Sequence, residues 1–186
     1  MKKSSVLSLA AAALSSVCPA ENASPQKVLV AYYSYSGNTR CAAEQIQKAT
    51  NGALFEIEPV KPYPSIYKEC TNQALNDIHA GRRPELKGRV IDFNQYEVIY
   101  VGTPNWWSTI APPVATFLTS YDFSGKTIIP FVTHGGGGMA NCERDMKKLT
   151  SGKAIFLKGR AFAGSGIQSS SEAVFRWAQS VLPSRK

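Results

Sequence analysis

No stretch of this 186-residue chain approaches the ~20 consecutive apolar residues that a permanent membrane span requires. Cysteine is scarce as well. Beyond residue 20 only Cys41, Cys70 and Cys142 remain, and an odd count argues against a complete disulfide framework. Cys41 and Cys70 fall on predicted helices and read as small buried apolar residues. The 21 basic residues form no long run, so the net charge of +8 reads as a solvated basic surface rather than a nucleic-acid patch. There is no internal repeat and no low-complexity linker beyond a short lead-in at 21–26. No metal site is expected.

Acidic residues are absent from the first 20 positions. That stretch has Lys2 and Lys3, then a Leu/Ala-rich core at 6–14, then small and polar residues to Ala20, which is the layout of a secretory signal. Cys18-Pro19-Ala20 suits cleavage after Ala20; the alternative is a lipid anchor at Cys18, with Val17 standing where a small residue is expected. The mature chain is thus expected to be exported, periplasmic or secreted, with no membrane span. Its single domain would cover 27–183, and loss of Lys2 and Lys3 would lower the net charge to +6.

What the chain does have is 44% hydrophobic content, enough for one domain with a developed core. Short β-branched and aromatic runs at 28–33, 54–58, 98–102, 127–133 and 154–157 alternate with helical patterns, the rhythm of a parallel sheet covered on both faces. The first helix places Ala42, Ala43, Ile46 and Ala49 on one face and stops at Asn51-Gly52. The second is expected from a Ser65 cap to residue 80, with Tyr67, Cys70, Ala74 and Ile78 inward and Gly81 beyond. The third begins at Pro112-Pro113. The fourth opens at Asn141, with Glu143 and Asp145 early and Lys147 and Lys148 late, complementing the helix dipole. The last covers 171–182, with Val174, Trp177, Ala178 and Val181 inward.

Three loops leave predicted strand ends with unusual residues. Ser34-Tyr35-Ser36-Gly37-Asn38-Thr39 sits between the first strand and the first helix, where unpaired amides, the positive end of a helix dipole and several hydroxyls would surround one point. Such a loop can cradle a phosphate, and it can equally be a capped turn. It lacks the Gly-Lys-Ser/Thr ending of a nucleoside triphosphate loop and the three spaced glycines of a dinucleotide site. Thr103-Pro104-Asn105-Trp106-Trp107-Ser108 follows the third strand. Two adjacent tryptophans on a loop cannot both point into the core, so at least one is expected to be exposed or on a ligand. The alternative packs Trp106 as core and leaves Trp107 at an edge. Thr133-His134-Gly135-Gly136-Gly137-Gly138 follows the fourth strand; its glycines either let a flat ligand lie close to the backbone or simply make a flexible loop. Ligands of open parallel sheets sit beyond the carboxyl ends of the strands, where the order reverses. A ligand with a phosphate at one end and a flat aromatic system at the other satisfies all three loops, and FMN is such a ligand.

Together these three segments resemble the flavodoxin family over residues 27–182. The likeness is greatest to a bacterial branch of small flavodoxin-like proteins that also carry a segment of the type Glu58-Pro59-Val60-Lys61-Pro62-Tyr63-Pro64. The resemblance implies a three-layer α/β/α sandwich around a five-stranded parallel sheet of order 2-1-3-4-5. Flavodoxins themselves exemplify that order with FMN at the switch point, so this placement is inherited from the resemblance. By likeness, Ser34, Tyr35, Ser36, Gly37, Asn38 and Thr39 would hold the phosphate, while Thr103, Pro104, Asn105, Trp106 and Trp107 would flank the ring. Thr133, His134, Gly135, Gly136 and Gly137 would lie along its other edge.

The implied function is an exported electron carrier working with redox partner proteins or small acceptors, with no side chain needed as acid or base. The alternative is an NAD(P)H-dependent reductase of quinones or small electrophiles, with His134 as proton donor. A flavin-free phosphate-binding module is a third class. Two departures from the family stand out. His134 and glycines replace the tyrosine that flavodoxins often place on the outer flavin face, and the chain is basic where many flavodoxins are acidic.

Overall fold

A computed structural model describes residues 26–184. The expected leader at 1–20 and nearly all of the 21–26 lead-in lie outside the described residues. In chain order the elements are β1 (Val28–Tyr32), α1 (Asn38–Thr50), β2 (Ala53–Glu56), α2 (Tyr67–His79), β3 (Val98–Trp106) and β4 (Thr109–Ile110), then α3 (Pro112–Thr119), β5 (Thr127–His134), α4 (Cys142–Leu149), β6 (Ile155–Phe156), β7 (Arg160–Ala163) and α5 (Ser171–Val181).

The sheet runs in the order β2-β1-β3-β5-β6, all parallel, with β7 also paired to β5 and β4 folded back antiparallel on β3. This is the three-layer sandwich and the strand order expected. The strand count is the correction: seven strands in place of five. The expected fifth strand is β6, a further strand β7 beyond it pairs with the next stretch of β5, and β4 closes a hairpin on an extended β3.

Alternation along the central strands explains the two helical layers. Val28 and Val30 of β1 and Tyr100 of β3 pack with Ala42 and Ile46 of α1 and Val174 and Trp177 of α5. Leu29, Ala31, Ile99 and Val101 point the opposite way, towards Ala74 of α2, Val114, Phe117 and Leu118 of α3, and Met146 of α4. Successive side chains of a strand face opposite sides, so a strand apolar at every position is buried on both. The tightest fit is in the middle: a Cβ on Gly102 would fall 2.1 Å from the Phe131 ring, which fills that position from the neighbouring strand.

Four local expectations change. Residues 103–106 continue β3 instead of forming a loop, because Asn105 and Trp106 pair with Ile110 and Thr109. Helix α2 starts at Tyr67 behind Ile66, with no side-chain cap. Tyr67, expected inward, is 75% exposed; the buried stripe of α2 is Cys70, Ala74 and Asp77. Cys70 is buried as expected, whereas Cys41 is only partly so.

Candidate functional site at the carboxyl ends of the strands

The first functional loop turns sharply into α1. Gly37 occupies the N-cap position with φ of 87°, and no side chain caps the helix. The helix's first main-chain bond runs from the Cys41 N–H to the Gly37 carbonyl, 2.9 Å. The amides of Asn38, Thr39 and Arg40 therefore head an open helix start, where partial positive charge gathers. Beside it the Ser34 hydroxyl is buried and has no hydrogen-bond partner, a costly state for a polar atom that no ligand engages. This set of donors fits a phosphate. Thr39 is fully buried and turned inward, its Oγ1 2.8 Å from the Oγ1 of Thr133, so α1 is fastened to the end of β5. Asn38 lies against Gly164, in the turn after β7, where a Cβ would come within 2.6 Å of its Nδ2. Gly164 was not anticipated, since nothing in its local sequence sets it apart from an ordinary turn glycine.

Two clefts open here, and Tyr35 stands between them. The polar one, about 520 Å³, is lined among others by Ser34, Ser36, Arg40, Glu56 and Lys87. Each of its cations has an acid partner: Arg40 Nη2 donates to both carboxylate oxygens of Glu56, at 2.6 and 2.8 Å, and Lys87 lies 3.4 Å from Glu58. The other, about 370 Å³, is aromatic, walled by Tyr35, Trp106, Trp107 and Asn105 from the expected set and by Tyr67 and Cys70 of α2. The α2 residues were not anticipated as site residues. Their helical spacing signalled a buried face, but not that the upper end of that face borders a cleft. Burial pushes both the Tyr33 hydroxyl and the Cys70 thiol above their ordinary pKa values, so both stay protonated at neutral pH.

The tandem tryptophans divide between the last residue of β3 and the turn that follows it. Trp106 is half-buried, with the ring edges of Tyr63, Tyr33 and Tyr35 at centroid distances of 4.9, 5.5 and 5.9 Å. Trp107 is 53% exposed, and its Nε1 donates to the Thr71 carbonyl of α2 at 3.0 Å. Trp107 and Ser108 both take positive φ, 51° and 67°, and form the hairpin tip. Thr103 is internal: its hydroxyl accepts from the Ala111 N–H at 3.0 Å and donates to the Pro104 carbonyl at 2.9 Å.

The third loop approaches from the β5 side. Asn105 Nδ2 donates to the Gly138 carbonyl at 2.9 Å, and Pro104 is in register with Thr133, which joins the second and third loops. His134 Nδ1 accepts from the Gly136 N–H at 3.0 Å, so a neutral imidazole carries its proton on Nε2. Gly135, Gly136 and Gly137 line neither cleft; they reach the rest of the site through Asn105, while Thr133 reaches it through Thr39.

A model of the flavodoxin family matches residues 27–181. Among solved structures, a candidate flavoprotein from Bacteroides uniformis is 33% identical with a TM-score of 0.72, the match covering 82% of this chain and 97% of that one. A second, from Bacteroides eggerthii, is 29% identical with a TM-score of 0.66 over 80% and 97% of the two chains. A flavoprotein from Lactobacillus acidophilus, solved in complex with FMN, is 25% identical with a TM-score of 0.64 over 77% and 97%. No curated protein matches.

Proposed function

The chain belongs to the flavodoxin family, and on that premise we propose that it binds FMN and works as an exported electron carrier between a reductase and an acceptor outside the cytoplasm. The observation that carries this reading is the buried, partnerless hydroxyl of Ser34 beside the open start of α1. Both are conditions that a phosphate relieves.

Bound FMN supplies reversible one- and two-electron chemistry at its ring. The protein's share is placement. Ser34, Ser36 and the amides from Gly37 to Arg40 hold the phosphate; Tyr35 separates the polar cleft from the aromatic one. Asn105, Trp106 and Trp107 flank the ring, and the backbone from His134 to Gly137 sets the polarity along its other edge. Export rests on the composition of residues 1–20.

The test is direct. The purified protein is expected to be yellow and to release FMN on denaturation; a colourless protein that takes up no added FMN overturns the reading and leaves a phosphate-binding module. A second reading, an NAD(P)H-dependent reductase of quinones or small electrophiles, draws on His134, whose Nδ1 contact with Gly136 leaves Nε2–H as a donor. NAD(P)H oxidation with a quinone and no added reductase would establish that activity, and its absence keeps the carrier assignment.

A further inference from the structure

The segment Glu58-Pro59-Val60-Lys61-Pro62-Tyr63-Pro64 lies outside the phosphate loop and is given no ligand to hold in the account above. It is nonetheless pinned at four places. The Lys87 and Val60 amides donate to the carbonyls of Glu58 and Glu85, both at 2.8 Å. Tyr35 of the phosphate loop donates to the Pro64 carbonyl at 2.8 Å. The Tyr63 hydroxyl donates to Asp77 Oδ2 of α2 at 3.0 Å. Asp77 in turn meets Arg82 Nε at 3.2 Å and, through its own carbonyl, the Arg82 amide at 2.8 Å.

Two features of this chain exceed what folding needs. Asp77 is 8% exposed, and a buried carboxylate costs solvation that an apolar side chain of similar size would avoid. The ring it anchors is also the nearest neighbour of Trp106: Tyr63 stands at 4.9 Å and 79° to the indole, closer than Tyr33 or Tyr35. Tyr63 meets Tyr33 as well, at 6.4 Å. The indole therefore rests on a ring that cannot swing away while its hydroxyl is held by a charged acceptor.

We propose that Asp77 is a positioning residue that sets the orientation of Trp106, and hence the aromatic wall of the ring site, through the Tyr63 hydroxyl. Arg82, on the outside, pairs with Asp77 and holds it in place. The proline-spaced segment after β2 then has a job: it carries Tyr63 to the one point where it can touch both Asp77 and Trp106.

The test uses the full chain and compares Tyr63→Phe and Asp77→Asn with the double variant Tyr63→Phe/Asp77→Leu; Trp106→Phe assigns the Trp106 band in the near-ultraviolet circular dichroism. Replacing both partners by apolar groups can leave stability nearly unchanged, so the double variant should recover the thermal midpoint. If the role is positioning, it should still show a diminished Trp106 band and FMN affinity lower by about tenfold, the scale of one hydrogen bond to a charged group. A double variant with the parent's Trp106 band and FMN affinity overturns the proposal and leaves a packing contact. The affinity arm rests on the FMN reading, whereas the circular dichroism arm is read on flavin-free protein. If the parent binds no FMN, the band alone decides: its loss in both single variants and the double supports the positioning role, and its retention overturns it.

Discussion

Thr39 and Thr133, 94 positions apart, share a 2.8 Å hydrogen bond between their buried hydroxyls. One stands in the first turn of α1 and the other near the end of β5, so a single contact locks the phosphate loop to the strand that delivers the glycine loop. Thr39→Val leaves the Thr133 hydroxyl buried without its partner and should cost about 1–3 kcal/mol, whereas Thr39→Val/Thr133→Val should recover most of that loss. Urea unfolding of the three proteins is the measurement, and additive losses in the double variant would show that the hydroxyls act separately.

Ser34 should behave in the opposite sense. Its hydroxyl has no partner, so Ser34→Ala removes a buried unsatisfied group and should leave the flavin-free protein as stable as the parent or more so. The same change should weaken FMN. Thermal midpoints with and without FMN check both halves, the gap between them shrinking in the variant.

At Gly37 the backbone sits at φ 87°, and a Cβ would meet nothing within 4 Å. Gly37→Ala therefore has space but not conformation, and should cost about 1–2 kcal/mol from the left-handed backbone alone. The variant should fold, with a lower urea midpoint and an unchanged slope. A midpoint equal to the parent's would show that this turn can relax to another conformation.

Acid should loosen the tryptophan hairpin before the rest of the fold. Asp145 of α4 accepts from Thr109 Oγ1 at 2.7 Å and faces Arg144 at 3.0 Å. Burial alone would raise its carboxyl, but the Thr109 hydroxyl, Arg144 and Lys148 outweigh burial and hold it below the ordinary 3.8. A depressed folded-state value means stability that is present in full above the unfolded value and lost as pH falls through the folded one. Below about pH 4 the parent should lose thermal stability more steeply than Asp145→Asn. Parallel profiles for the two proteins would remove Asp145 from the account.

The basic surface bears on the flavin itself. The full chain carries a net charge of +8, which would be +6 without the proposed leader and its Lys2 and Lys3, and positive surroundings favour the anionic reduced ring. The hydroquinone potential should be less negative than that of an acidic flavodoxin. A spectroelectrochemical titration reads it, and a very low value would defeat the electrostatic argument.

Much of this architecture is legible in the chain because its central strands are apolar at nearly every position and its helices carry a clear inward stripe. Val28 to Tyr32 and Val98 to Val101 are buried on both sides, and no other element type suits such short β-branched runs. The β3–β4 hairpin was not legible. Its tip places Trp107 and Ser108 at positive φ, where the usual signal is Gly or Asn, so the residues before it read as loop. Strand β7 escaped notice because Arg160–Ala163 is short, begins with a charge and follows Lys158-Gly159 with no long apolar run of its own. In the candidate site, the three loops stood out in the sequence by their chemistry. Tyr67, Cys70 and Gly164 were not, because they arrive from elements distant in sequence, and only the folded packing brings them near.

Phe131 and Gly102 face each other across β5 and β3, the ring filling the space of a missing side chain. The smallest slip that keeps inward residues inward would bring Tyr100 or Pro104 beneath that ring. Neither position has room for it, so the two strands are left with a single alignment, keyed like a lock by one absent methyl. The tryptophan hairpin and the glycine loop leave from the ends of those same two strands. Their relative height, and with it the spacing between the two sides of the site, is thereby fixed inside the sheet, three positions before Asn105 on one strand and His134 on the other.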